Sequence, residues 1–179
     1  MGKIMIGGRN MRKEINYNDY AEELITQLTK GGVFLTVKDQ EKANIMTIGW
    51  GTFGWIWNKP ILMVMVRYSR HTYGLLENAG EFTVSVPLKQ NRTKELLICG
   101  QQSGREIDKF QTCGFTPEKG QAVTTPVIKE CPLHFECRVV YQQAMEPGQL
   151  SKEFRAKWYK TPDYHVLYYG EIVAAYLTE

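Results

Sequence analysis

Apolar positions recur in two rhythms along the chain. Between Asp19 and Lys30, Ala21, Leu24, Ile25 and Leu28 fall three and four residues apart, the spacing that gathers side chains on one face of a helix. Asn18 offers an N-cap and Gly31-Gly32 a stop, so the pattern predicts a helix over 19–30. Val33 to Val37 reads as a strand, and Asn44 to Trp50 as another beyond the turn-like Asp39-Gln40-Glu41-Lys42. Ile61 to Val66 is apolar throughout, which predicts a central strand covered on both faces. Phe82, Val84 and Val86 alternate with Thr83 and Ser85, the period of a strand.

The remaining segments are less regular. Ser69 to Gly80 is bracketed by a hydroxyl cap and a glycine, which predicts a short helix. Residues 91–113 predict two helical pieces broken at Gly100 to Gly104, and 116–125 a loop. Leu133 to Tyr141 predicts a strand with Leu133, Phe135, Cys137, Val139 and Tyr141 on one face. Residues 146–163 form a charged, irregular insertion, and His165 to Leu177 a last strand or strand pair bent near Gly170. About six strands and three or four helices, without regular alternation, argue against a doubly wound parallel sheet. They predict a mainly β fold, an antiparallel barrel with peripheral helices. The expected organisation is a flexible leader over residues 1–16 and one domain over 17–179.

Composition narrows the class. The chain has 179 residues, enough for one full core. Hydrophobic residues are 43% and charged residues 23%, which excludes a disordered chain. The net charge of +3 comes from scattered residues; no basic stripe marks a nucleic-acid surface. The longest apolar run, Ile61 to Val66, is far short of the ~20 residues of a membrane helix. Residues 1–14 lack the apolar stretch of a secretory signal. Ile6 stands where a myristoylation site needs Ser or Thr. The expected setting is the cytoplasm, with no membrane and no nucleic acid as partner. Cys99, Cys113, Cys131 and Cys137 make no C-x-x-C pair, so no metal site is expected and the thiols read as reduced and buried.

Three stretches carry candidate chemistry. Gly49-Trp50-Gly51-Thr52-Phe53-Gly54 is a literal G-x-G-x-x-G. A dinucleotide fold needs a helix directly after it, and Trp55-Ile56-Trp57-Asn58-Lys59-Pro60 leaves no room for one. The glycines then read as a strand end that another backbone or a flat ligand approaches closely. Val66-Arg67-Tyr68-Ser69-Arg70-His71-Thr72 joins a buried strand to a helix start. Two guanidiniums beside the positive end of a helix suit a phosphate; a solvated arginine pair beside an ordinary cap fits the same pattern. Ala43 to Trp50 offers Asn44, Thr47 and glycine-flanked backbone to the edge of a planar heterocycle, and Trp50, Phe53, Trp55 and Trp57 could cover its faces, or could equally be core or interface. No G-x-S-x-G elbow is present, and no spacing ties His71, His134 or His165 to a nucleophile.

Seven blocks then stand in order: Gly-Val-Phe-Leu-Thr-Val (32–37), Asn-Ile-Met-Thr-Ile-Gly-Trp (44–50), Pro-Ile-Leu-Met-Val-Met-Val-Arg-x-Ser-Arg-His-Thr (60–72), Gly-Glu-Phe-Thr-Val-Ser-Val-Pro (80–87), Ser-Gly-Arg-Glu-Ile-Asp-Lys-Phe (103–110), Leu-His-Phe-Glu-Cys (133–137) and Asp-Tyr-His-x-Leu-x-x-Gly-Glu-Ile (163–172). Over residues ~20–177 this order resembles the flavin reductase-like family with the FMN-binding split-barrel fold, and most closely its flavoredoxin branch. The resemblance implies a Greek-key split β-barrel, a homodimer, and FMN near the subunit interface. It implies that Asn44, Met46, Thr47, Ile48, Gly49 and Trp50 lie along the flavin. Arg67, Ser69, Arg70, His71 and Thr72 would take the phosphate and ribityl chain, with Ser103, Gly104 and Lys109 near the flavin. His165 would be the catalytic histidine near the reactive face, although Tyr164 separates it from Asp163 where the family has Gly-Asp-His. The activity implied is flavin-based electron transfer, with NAD(P)H as donor and a partner protein or small acceptor. An electron carrier without its own nicotinamide site and a non-redox ligand-binding barrel are the alternatives.

Overall fold

The computed structural model describes residues 11–40 and 42–178. Ten strands and five α-helices follow in the order β1 (Arg12–Glu14), α1 (Ala21–Lys30), β2 (Val33–Asp39), β3 (Lys42–Ile48), β4 (Gly51–Ile56), β5 (Lys59–Arg67), α2 (His71–Ala79), β6 (Glu81–Val86), α3 (Thr93–Gln101), α4 (Lys109–Cys113), β7 (Pro117–Glu118), β8 (Val127–Ile128), β9 (Leu133–Ala144), α5 (Lys152–Trp158) and β10 (His165–Thr178). The main sheet runs β3-β2-β6-β9-β10-β5-β4, with β1 on β10, and β7 pairs with β8. Every pairing is antiparallel. The expected antiparallel split barrel with outlying helices is what the chain adopts. Of the expected leader, residues 1–10 lie outside the described residues, and Arg12–Glu14 pairs with Tyr176 to Thr178.

Two cores hold it. Inside the barrel, Leu35, Val37, Leu62, Val64, Val66, Val84, Val86, Phe135 and Tyr168 pack together. A smaller core of Phe34, Ile45, Cys99, Phe110, Phe115, Ile128 and Cys131 joins the outer face of β2 and β3 to α3 and α4. This second layer explains why β6 departs from its alternating pattern. Thr83 and Ser85 are fully buried: the Thr83 hydroxyl donates to the Pro126 carbonyl at 2.7 Å, and Ser85 Oγ accepts from the Ile128 N–H at 3.2 Å.

Two local expectations are corrected. Helix α1 starts at Ala21 with Tyr20, not Asn18, at its cap, and Ile25 is 52% exposed while Leu24 is fully buried. Tyr17 and Tyr20 take the expected place of Ile25 against the core. Residues 51–56 form a strand that the sequence pattern did not mark, because Gly51 and Gly54 interrupt it and Thr52, Trp55 and Ile56 are exposed. Its hairpin turns on Trp57 and Asn58, both at positive φ (54° and 56°), the geometry of a two-residue hairpin without the usual Asn-Gly. Ile61 to Val64 and Val66 are core residues, as the apolar run predicts. The bend at Gly170 is present. The β9–β10 register shifts there, and a Cβ on Gly170 would lie 2.5 Å from Phe82 Cζ.

Arg67 closes β5 opposite His165, the first residue of β10. The start of β3, the β5–α2 junction, the α3–α4 connection and the start of β10 therefore meet at one end of the barrel.

Candidate functional site

The first three of those junctions line a cleft of about 180 Å3, and the start of β10 lies outside its lining. β3 contributes Asn44, the β5–α2 junction Ser69 to Thr72, and the α3–α4 connection Ser103, Gly104 and Lys109. A larger open groove of about 510 Å3 lies between Glu14–Tyr17 and Ile172–Ala175 and holds none of the predicted site residues. The small cleft has the cations, so it carries the chemistry.

Its wall is tightly set. Asn44 Nδ2 donates to Thr72 Oγ1 at 2.9 Å, and both residues are buried. Gly104 presses on this pair: a Cβ there would collide with Asn44 Oδ1 and reach His71 Cδ2 at 3.0 Å. His71 Nε2 is buried with no hydrogen-bond partner among the described residues. A buried polar atom without a partner is costly and marks a place that a ligand's acceptor would satisfy. Burial, then the charges of Arg105, Lys42 and Lys109, lowers the His71 pKa, which keeps the ring neutral.

Two cations stand behind the wall. Lys109 is buried, and its ammonium donates to the carbonyls of Ile45 (2.8 Å) and Cys99 (2.9 Å). Burial pulls its pKa down to about 8, and none of its hydrogen-bond partners is a carboxylate. Arg70 donates to the carbonyls of Gly100 (2.7 Å) and Cys99 (3.4 Å) at the end of α3. The helix α2 begins after Arg70 with no side-chain cap and no acidic residue in its first turn. The positive end of the helix, two cations and a lone imidazole nitrogen converge in a cleft whose lining, among the described residues, holds no carboxylate. This donor set suits a phosphate monoester.

Other predicted residues are placed differently. Ser69 is not the cap of α2. Its N–H and hydroxyl donate to the Asp163 carboxylate at 3.1 and 2.6 Å. Arg67 lies outside the cleft and donates to the carbonyls of Asp163 (2.7 Å) and Trp158 (3.1 Å). The side chains of Met46 and Ile48 belong to the barrel core, so only their backbone on the outer edge of β3 is free for a ligand. Thr47 donates to the Leu96 carbonyl at 2.6 Å, binding β3 to α3. Ser103 Oγ accepts from the Arg105 N–H at 3.2 Å and shapes the loop. Gly49 and Trp50 follow β3 and lie outside the lining of the cleft. Trp50 is 36% exposed and packs beside Trp158 and His165, with centroids 5.1 and 5.2 Å away.

His165 is buried, and burial followed by the charge of Arg67 lowers its pKa to about 4. It is a neutral imidazole at pH 7. Its Nδ1 lies 2.8 Å from the hydroxyl of Tyr159, a residue the sequence reading left inside the insertion. No periodicity or motif marks Tyr159; only its closeness to His165 in the chain could have raised it.

A family model described as the flavin reductase like domain matches residues 25–179. The chain belongs to the flavin reductase-like family. An uncharacterised protein of Archaeoglobus fulgidus is 32% identical over 164 residues, covering 91% of this chain and 78% of that one. The flavoredoxin of Methanosarcina acetivorans superposes with a TM-score of 0.64 at 28% identity, over all of this chain and 76% of that one. The flavoredoxin of Desulfovibrio vulgaris (Miyazaki F) gives 0.66 at 25% identity, over 83% and 69% of the two chains. Among the described residues, no helix is long and apolar enough to cross a membrane, and no His, Cys, Asp and Glu cluster suits a metal ion.

Proposed function

We propose that this member of the family binds FMN and works as a flavoredoxin-like electron-transfer flavoprotein, taking electrons from NAD(P)H and passing them to a partner protein or small acceptor. One observation carries the reading: a cleft walled by Arg70, His71 and Lys109 in which His71 Nε2 is buried and has no partner among the described residues. At about 180 Å3 the cleft is smaller than the ~300–1,000 Å3 of sites that bury a whole cofactor. It fits the phosphate end, with the ring system left to the open side beside Trp50.

In this reading Arg70, His71, Thr72 and Lys109 hold the phosphate and ribityl chain, with Ser103 and Gly104 setting the loop across it. Asn44 and the outer backbone edge of β3 through Gly49 and Trp50 orient the ring. FMN, when bound, would supply hydride acceptance and one- or two-electron release, and these residues would hold and orient it. Neutral His165, next to Trp50, can donate a hydrogen bond at the open side without adding charge. Arg67 and Ser69 hold the 158–165 segment rather than the phosphate.

The same reading places the protein in the cytoplasm as a homodimer. Heat release of the chromophore and anaerobic titration with NADH and NADPH test it. FMN should be the flavin released, and one nicotinamide should bleach it. FAD alone would defeat the assignment, and FMN that neither nicotinamide reduces would favour a carrier charged by another protein.

A further inference from the structure

The segment 158–165 is anchored more firmly than an irregular surface insertion requires. Arg67 reaches the carbonyls at both of its ends, Trp158 and Asp163. The Asp163 carboxylate receives the Ser69 N–H and hydroxyl, and the Tyr68 N–H donates to the Tyr164 carbonyl at 3.3 Å. Tyr164 stacks on Tyr159 with centroids 4.9 Å apart, and the Arg67 guanidinium lies 5.0 Å from the Tyr159 ring centroid. The Tyr164 stack and the Arg67 guanidinium bear directly on Tyr159, whose hydroxyl meets His165 Nδ1 at 2.8 Å in a buried setting. On its other side the His165 ring rests on Trp50.

We propose that Tyr159 is a positioning residue: its hydroxyl donates to His165 Nδ1, so that His165 is held as the tautomer with its proton on Nε2. Which nitrogen of a neutral imidazole carries the proton is set by the bond the other one makes. A guanidinium against the ring face draws on the π density of the phenol and makes its O–H the better donor. The charges near the imidazole are Arg67, which opposes a second proton, and Asp163, whose carboxylate is taken up by Ser69. Burial keeps the phenol protonated and the imidazole neutral. His165 Nε2 has no protein partner among the described residues, so the tautomer presents a neutral N–H donor beside Trp50. The consequence for turnover rests on the flavin reading above; the tautomer does not.

The test uses the full chain and the variant Tyr159→Phe, which keeps the ring and its stacking. Histidine 15N NMR at pH 7 should find His165 with Nδ1 unprotonated and Nε2 protonated in the parent, and a shifted tautomer balance in Tyr159→Phe. In parallel, Tyr159→Phe should keep near-parental FMN affinity and lose at least about tenfold in the rate of anaerobic reduction by the effective nicotinamide. A protonated Nδ1 in the parent overturns the proposal, and this outcome can be read whether or not the variant folds. A parental tautomer in the variant also overturns it, as does a loss of FMN affinity that matches the loss of rate. If the tautomer behaves as expected but neither nicotinamide reduces the parent, the choice of donor fails while the role of Tyr159 stands.

Discussion

Two arginines three apart read alike in the sequence and act differently in the structure. Arg70 faces the cleft while capping the carbonyls of Cys99 and Gly100. Arg67 spends its donors on Trp158 and Asp163. Arg70→Ala should therefore weaken FMN binding about ten- to a hundredfold, the worth of ~1.5–3 kcal/mol from a charged hydrogen bond. Arg67→Ala should leave FMN affinity near parental and disturb His165. Flavin titration of both variants checks this; equal losses would place the phosphate nearer Arg67. Gly104 is a second sharp test. The collision of an added methyl with Asn44 and His71 should cost about 1–3 kcal/mol of stability and weaken FMN binding. Parental unfolding and parental affinity in Gly104→Ala would mean that the loop yields there.

At the scale of elements, the interior of the sheet was largely legible in the sequence and the edges were not. β2 and β5 declare themselves because burial on both faces selects apolar and β-branched side chains at most positions, and β6 declares itself by its alternation. β4 hides because its exposed residues obey no inside–outside rule, and its Trp57-Asn58 turn lacks a standard turn pair. Part of the cleft wall was legible as the segment 66–72, since a helix start is a local signal. The partners of Ser69 and Arg67 were not, because Asp163 lies 94 residues away in the chain. Buried histidine ties elements together as well. His134 sits between Ser85 (3.1 Å) and Thr178 (3.2 Å), joining β6, β9 and β10, and burial followed by the Arg12 charge lowers its pKa to about 3. The unfolded chain takes up this proton near pH 6.5, where the folded one does not. Stability is then complete above about pH 6.5 and falls with pH toward 3, by up to about 1.4 kcal/mol per pH unit. His165 adds to the loss in the same direction down to about 4. Urea unfolding at pH 7, 5 and 4 should show the decline, and His134→Gln should flatten it; a parent equally stable at pH 7 and 4 would contradict the burial argument.

For the whole molecule, the exposed aromatic surface is the feature a lone barrel leaves unexplained. Trp55 and Trp57 are each 57% exposed, and Trp57 meets Tyr141 and Tyr169 at centroid distances of 5.9 and 6.2 Å. A contiguous apolar patch on a small protein marks an association surface, and a self-complementary one closes as a two-fold pair. Sedimentation at micromolar concentration should give about twice the 20.6 kDa chain mass, and Trp57→Lys should shift it toward the monomer. A parent that sediments as a monomer would remove the patch from the interface.

The central claim is that the Arg70–His71–Lys109 cleft reads a phosphate. Its most direct test compares FMN with riboflavin, which differ only in that group, by fluorescence quenching on flavin-free protein. FMN should bind about tenfold to a hundredfold or more tighter, the range expected for one or two charge-assisted hydrogen bonds. Arg70→Ala should erase most of the difference. Equal affinity for the two flavins would contradict the account, because a cleft that gains nothing from the phosphate is not the site described.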